Sequence, residues 1–188
     1  MDRISSFRQL VKRRWFGLLV VAGALSPAGL SAHTIPVSYL TIVPDKDFVH
    51  VELVLNPFEL NFFSEIDANR NGRLDREEVA RFEEVGTRQL VDAIQLSVGG
   101  KVIRAEVAGA SLAVDSHHLI LRAHYRVDAR ETPISVRCSL ARITRGWHAT
   151  SVKYINRGRR QSAFLETEES GANFDPASPD AKPEVEAR

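Results

Sequence analysis

In FVHVELVL, residues 48–55, Val49, Val51, Leu53 and Leu55 fall on one side of the chain and His50, Glu52 and Val54 on the other. Successive side chains change faces only along an extended strand, so this run commits its backbone to a sheet with one buried face. The preceding IPVSYLTIV, 35–43, has the same β-branched character, and Pro44, Asp45, Lys46 and Asp47 between the two runs are turn residues. The rhythm returns at 95–98, 101–107, 110–114, 118–127, 133–140, 148–155 and 159–166. Gly99-Gly100 marks a hairpin, and further breaks fall at 128–132, 145–147 and 156–158. This pattern predicts a mainly β chain, an Ig-like β-sandwich of about seven strands. Cys138, inside the alternating run ISVRCSL, is expected as a buried, inert thiol.

One segment breaks the rhythm. Asn56 is a good N-cap, Pro57 suits a first helical position, and Glu59 stands where the acid of a capping box belongs. A helix is therefore expected over 57–66, with Phe58, Leu60, Phe62, Phe63 and Ile66 as its apolar residues. A second is expected over 76–94, where Val79, Phe82, Val85, Leu90, Val91 and Ile94 recur at helical spacing and Gly86 is a mild weakness. The insertion as a whole spans 57–94.

Between the two helices lies DANRNGRLDREE, 67–78. Oxygen-bearing side chains stand at the first, third, fifth, ninth and twelfth positions: Asp67, Asn69, Asn71, Asp75 and Glu78. Gly72 holds the sixth position, where the chain must turn sharply. Arg73, at the seventh, offers its backbone carbonyl, and Leu74 packs inward. Calcium wants six to eight oxygens, and a loop winding around one ion supplies them at this spacing. The run resembles an EF-hand, and the flanks extend the resemblance over 57–92. It implies a calcium site of Asp67, Asn69, Asn71, Arg73, Asp75 and Glu78, with Glu78 supplying two oxygens. Three carboxylates, with Arg70, Arg73 and Arg76 close by, imply modest affinity, on the order of 10⁻⁵–10⁻³ M. EF-hands usually work in pairs, and no second such loop is present; this one pairs between chains or leans on the β-domain, which favours a structural site over a sensor.

Residues 1–32 read as an address. Arg3, Arg8, Lys12, Arg13 and Arg14 precede an apolar run at 15–25 and a small-residue stretch ending at Ala32, the parts of a secretory signal peptide. The apolar run is too short to span a bilayer core of about 30 Å. Net charge is +1 from 25 basic and 24 acidic residues; without the signal's five bases and one acid, 20 face 23, a net −3. Neither balance suits a nucleic-acid binder. The mature chain is expected in the periplasm or outside the cell, with no integral membrane segment. One cysteine leaves no intramolecular disulfide framework and no cysteine-cluster zinc site.

Cleavage after Ala32 would make His33 the first residue, and a terminal amine with its own imidazole can chelate copper or nickel. That gives an alternative reading as a periplasmic metal carrier or accessory protein. The second ligand would be His117, His118, His124 or His148, and no spacing selects among them. No G-x-S-x-G, H-E-x-x-H or G-x4-G-K-[ST] motif is present, so no enzymatic activity is expected. The order from 33 to 166, a strand pair, then the calcium-type loop and long helix leading into LSVGGKVI, resembles the exported N-terminal region of hydrogenase/urease accessory nickel-transporter-like membrane proteins. That resemblance implies a β-sandwich-like extracytoplasmic domain and a protein partner, a membrane protein among the candidates. No membrane helices follow residue 166, so transport is not implied. Residues 167–188, rich in Pro, Ala and acids, are expected as a disordered tail.

Overall fold

The alternating runs become eleven strands among the described residues, which in this computed structural model are 36–62, 65–112, 117–127, 132–144, 148–167, 169–177 and 183–186. The expected signal peptide, 1–32, and His33 lie outside them. In chain order the elements are β1 (Val37–Pro44), β2 (Phe48–Leu55), α1 (Pro57–Leu60), α2 (Arg76–Asp92), β3 (Ile94–Val98), β4 (Lys101–Ile103) and β5 (Val107–Leu112). Then come β6 (Leu119–Arg126), β7 (Ile134–Cys138), α3 (Leu140–Ile143), β8 (Ala149–Asn156), β9 (Arg159–Leu165), β10 (Gly171–Phe174) and β11 (Glu184–Glu186). A six-stranded sheet has the order β5-β6-β2-β1-β8-β9 and a five-stranded sheet the order β11-β10-β7-β3-β4. All neighbours run antiparallel except β1 and β8, which are parallel.

Register explains the burial. Val49, Val51, Leu53 and Leu55 of β2 stand opposite Tyr125, Ala123, Leu121 and Leu119 of β6, and all eight are buried. On the five-stranded sheet Leu96, Val136 and Ala172 line up across β3, β7 and β10, again buried. Side chains of both sheets join one hydrophobic cluster. Tyr154 of β8 and Phe174 of β10 stack within it, ring centroids 5.1 Å apart and planes 11° from parallel. Cys138 is buried where alternation placed it, and Thr150 Oγ1 donates to its sulfur at 3.5 Å. Gly99 and Gly100 both take positive φ, 54° and 80°, which suits the tight β3–β4 hairpin.

Several expectations need correction. The helix expected over 57–66 stops at Leu60, after one turn. Phe62 N–H already bonds Glu59 C=O, a tighter turn than an α-helix makes, and Asn61 Oδ1 accepts from Asp67 N–H at 3.4 Å. A side chain that serves the backbone of the next loop favours an end over a continuation. Helix α2 ends at Asp92 rather than 94, because Ile94 is recruited into β3 opposite Cys138. The strand expected over 101–107 stops at Ile103, and Val107 instead begins β5. The strand expected over 133–140 stops at Cys138, where Ser139 N–H and Oγ both bond Ala93 C=O and α3 follows.

The tail is the largest correction. Residues 167–188 are not wholly irregular: β10 pairs with β7, and β11 pairs with β10. Phe174 and Ala172 are buried. A four-residue strand of Gly, Ala, Asn and Phe carries almost no periodicity, so its place is set by the open edge of β7 and the space beside Tyr154.

Candidate metal centre

Two capping boxes bracket the helical insertion. At the first, Asn56 Oδ1 accepts from Glu59 N–H at 2.9 Å while Glu59 Oε2 accepts from Asn56 N–H at 2.7 Å. At the second, Asp75 Oδ1 accepts from Glu77 and Glu78 N–H at 2.9 and 2.8 Å, and Glu78 Oε2 accepts from Asp75 N–H at 3.0 Å. Each box satisfies donors that a helix start leaves bare.

The second box also closes the loop. Glu78 Oε1 reaches back to Ala68 N–H at 3.0 Å and Asn69 N–H at 3.5 Å. Asp67 takes Asn71 N–H on one oxygen at 3.0 Å and Gly72 N–H on the other at 2.9 Å. Asn69 Oδ1 bonds that same Asn71 N–H at 3.0 Å, so the Asp67 and Asn69 oxygens share one amide. Asn71 Oδ1 accepts from Arg73 N–H at 2.7 Å. Gly72 has φ +73° with open space where a Cβ would stand, so glycine is needed there for the backbone angle rather than for room.

Burial makes the charges notable. Asp67 is 7% exposed and Glu78 2%, yet among the described residues neither carboxylate is paired with a cation. Arg70 turns outward to Glu65 at 3.7 Å. Ile66, Leu74, Val79 and Phe82 anchor the loop and α2 in the core, as their apolar character predicts, while Phe63 lies outside the described residues. His117 Nδ1 lies 3.3 Å from Gly72 C=O, tying the loop to the segment before β6.

The sequence-predicted ligands are therefore brought together unevenly. Asp67 and Asn69 meet on the Asn71 amide, Glu78 reaches the Ala68 and Asn69 amides, and the Asn71 side chain turns to the Arg73 amide. Asp75 is engaged in capping α2, and Arg73 meets the others through its N–H. Among the described residues no three His, Cys, Asp or Glu side chains form one metal-sized cluster. The donor chemistry still fits a hard cation: three carboxylates, two side-chain amides and a backbone carbonyl, all oxygen.

A second buried polar group was not legible in the spacing. Glu59 and His148 are each 1% exposed, with His148 Nδ1 3.3 Å from Glu59 Oε1. Ser38 Oγ donates to that carboxylate at 3.1 Å. Burial pushes Glu59 up from its ordinary value against the opposing pull of Asn56, Ser38 and His118. Burial also pushes His148 down to about 4. Despite the short separation, neither ring nitrogen of His148 makes a well-directed hydrogen bond. His33 lies outside the described residues, so its supposed partnership with one of the other histidines has no geometry here.

The sequence matches no protein-family model and no curated protein.

Proposed function

We propose that this chain is an exported, non-enzymatic calcium-binding protein. An EF-hand-type loop inserted in an Ig-like β-sandwich would bind one Ca2+ through Asp67, Asn69, Asn71, Asp75, Glu78 and the Arg73 carbonyl. The observation that carries this reading is the closed loop, with two nearly buried carboxylates, no cationic partner for either among the described residues, and a left-handed glycine at the sixth position. Buried carboxylates are normally paired or metal-bound, and backbone amides alone leave their charge uncompensated. Calcium would supply that compensation and order the loop against the β-domain. The role that follows is shaping an interaction surface. Phe58 and Phe62 support it: they stack edge to face with centroids 5.5 Å apart, 61% and 42% exposed, on and just after α1. Among the described residues no helix is long and apolar enough to cross a membrane.

Thermal melting tests the proposal. Calcium added to a chelator-treated sample is expected to raise Tm, and at a free concentration 100 times Kd the gain is about 2.7 kcal/mol. Glu78→Gln can keep the capping box but loses the charge; together with Asp67→Ala it is expected to abolish the rise. A wild-type melting curve that millimolar calcium leaves unmoved overturns the reading.

A further inference from the structure

Two histidines unrelated by sequence spacing meet on the six-stranded sheet. Strands β2 and β6 pair so that His50 stands directly opposite His124. Their imidazoles approach Nδ1 to Nδ1 at 2.7 Å, with ring centroids 4.8 Å apart and planes at 85°. At that distance one Nδ1 must carry a proton and donate it to the lone pair of the other. A transition-metal ion bonds imidazole nitrogen at about 2.0–2.1 Å, so two adjacent ligands of a square-planar ion stand about 2.9 Å apart and two tetrahedral ligands about 3.3 Å. The separation in the sheet lies near the first of these values.

The scaffold holds this bite. Neither β2 nor β6 is an edge strand: β5 and β1 flank the pair. Val49, Val51, Ala123 and Tyr125, the chain neighbours of the two histidines, are buried, which fixes the face from which both rings project. The rings themselves are half-buried, restricted in motion yet open to solvent on one side. Arg122 and Arg126, which flank His124 on the same face of β6, are paired with Glu52 and Glu106, each at 3.0 Å, and Arg126 lies 5.3 Å over the Phe48 ring, so both charges are already offset.

We propose that His50 and His124 form a two-histidine chelate for a tetragonal divalent transition ion, Cu2+ ahead of Ni2+ and Zn2+ in affinity, with water completing the coordination. The chelate is independent of the calcium loop, whose ligands are hard oxygens. It also needs no free N-terminus, unlike a site built on His33. The neutral pair holds two protons. When the ion binds through both Nδ1 atoms, the donor imidazole moves its proton to Nε2, so the pair releases none.

Titrating the calcium-free protein with Cu2+ tests this. The expected result is one ion bound with a two-nitrogen paramagnetic resonance signature, weakened about tenfold or more by His50→Gln or by His124→Gln. His118→Gln and acetylation of the terminal amine should change nothing. In case a strand variant fails to fold, a wild-type measurement stands beside it: substoichiometric Cu2+ should broaden the ring resonances of His50 and His124 before those of the other histidines. Unchanged binding in both folded variants, or broadening that begins at other histidines, overturns the proposal.

Discussion

His148 and Glu59 show how a buried pair can share space without sharing charge. Both sit at 1% exposure, and burial opposes ionisation of each: it raises Glu59 and lowers His148 to about 4. The signs of their contributions to stability are opposite. For His148 the unfolded chain takes up a proton near pH 6.5 while the folded chain resists until about 4. Its contribution is therefore complete above pH 6.5 and is lost as pH falls toward 4. Glu59 holds its proton longer when folded, so its contribution is present below its ordinary value of 4.5 and declines as pH rises through the folded one. Urea midpoints measured from pH 4 to 7.5 should fall on acidification, and His148→Gln should flatten that fall relative to wild type. If the pair were instead a stable ion pair, His148 would titrate above 6.5 and the variant would alter the alkaline side of the curve.

Helix α2 carries a prediction that propensity alone would get backwards. Gly86 lies inside this 17-residue helix, where alanine is ordinarily better by about 1 kcal/mol. A Cβ at residue 86, however, would collide with the Cε2, Cζ and Cδ2 edge of the Phe82 ring, which is 3% exposed and anchored in the core. Displacing a packed ring costs typically about 1–3 kcal/mol. Gly86→Ala should therefore destabilise the protein by about 1 kcal/mol net, read as a lower urea midpoint with unchanged m-value; a stabilised variant would mean the ring moves freely. The same contrast explains what the sequence does and does not reveal. Strands β1, β2, β6 and β8 were legible because their alternation is long and one face is apolar. The start of α1 was legible because capping is local chemistry, written in Asn56 and Glu59; at α2 the sequence marks Asp75 and Glu78 as loop ligands, and only the structure shows them as a capping box. The end of α1 was not legible, since Phe62 and Ile66 continue an apolar spacing that Asn61 interrupts. The cross-strand meeting of His50 and His124 was illegible because register joins residues 74 apart.

Whole-molecule packing depends on a segment whose composition argues against order. Residues 167–188 have little apolar content, and composition is a sound guide when a segment must fold by itself. Here the segment needs no core of its own. The edge of β7 supplies hydrogen-bond partners for Gly171–Phe174, and the core supplies a place for one large ring. Phe174 is 0% exposed and stacked on Tyr154, so it joins the five-stranded sheet to the six-stranded one. An open β7 edge would also be a site for pairing with other chains. Phe174→Ala removes the ring and leaves a cavity between the sheets, a change that costs about 3–5 kcal/mol for a buried phenylalanine. Equilibrium urea unfolding should show a loss of that size, with Phe174→Leu losing less because it keeps most of the apolar volume. A disordered tail would make both substitutions neutral, so a midpoint within error of wild type would remove β10 from the fold. A loss largest for Phe174→Ala and smaller for Phe174→Leu would place Gly171–Phe174 inside the same cooperative unit as β1.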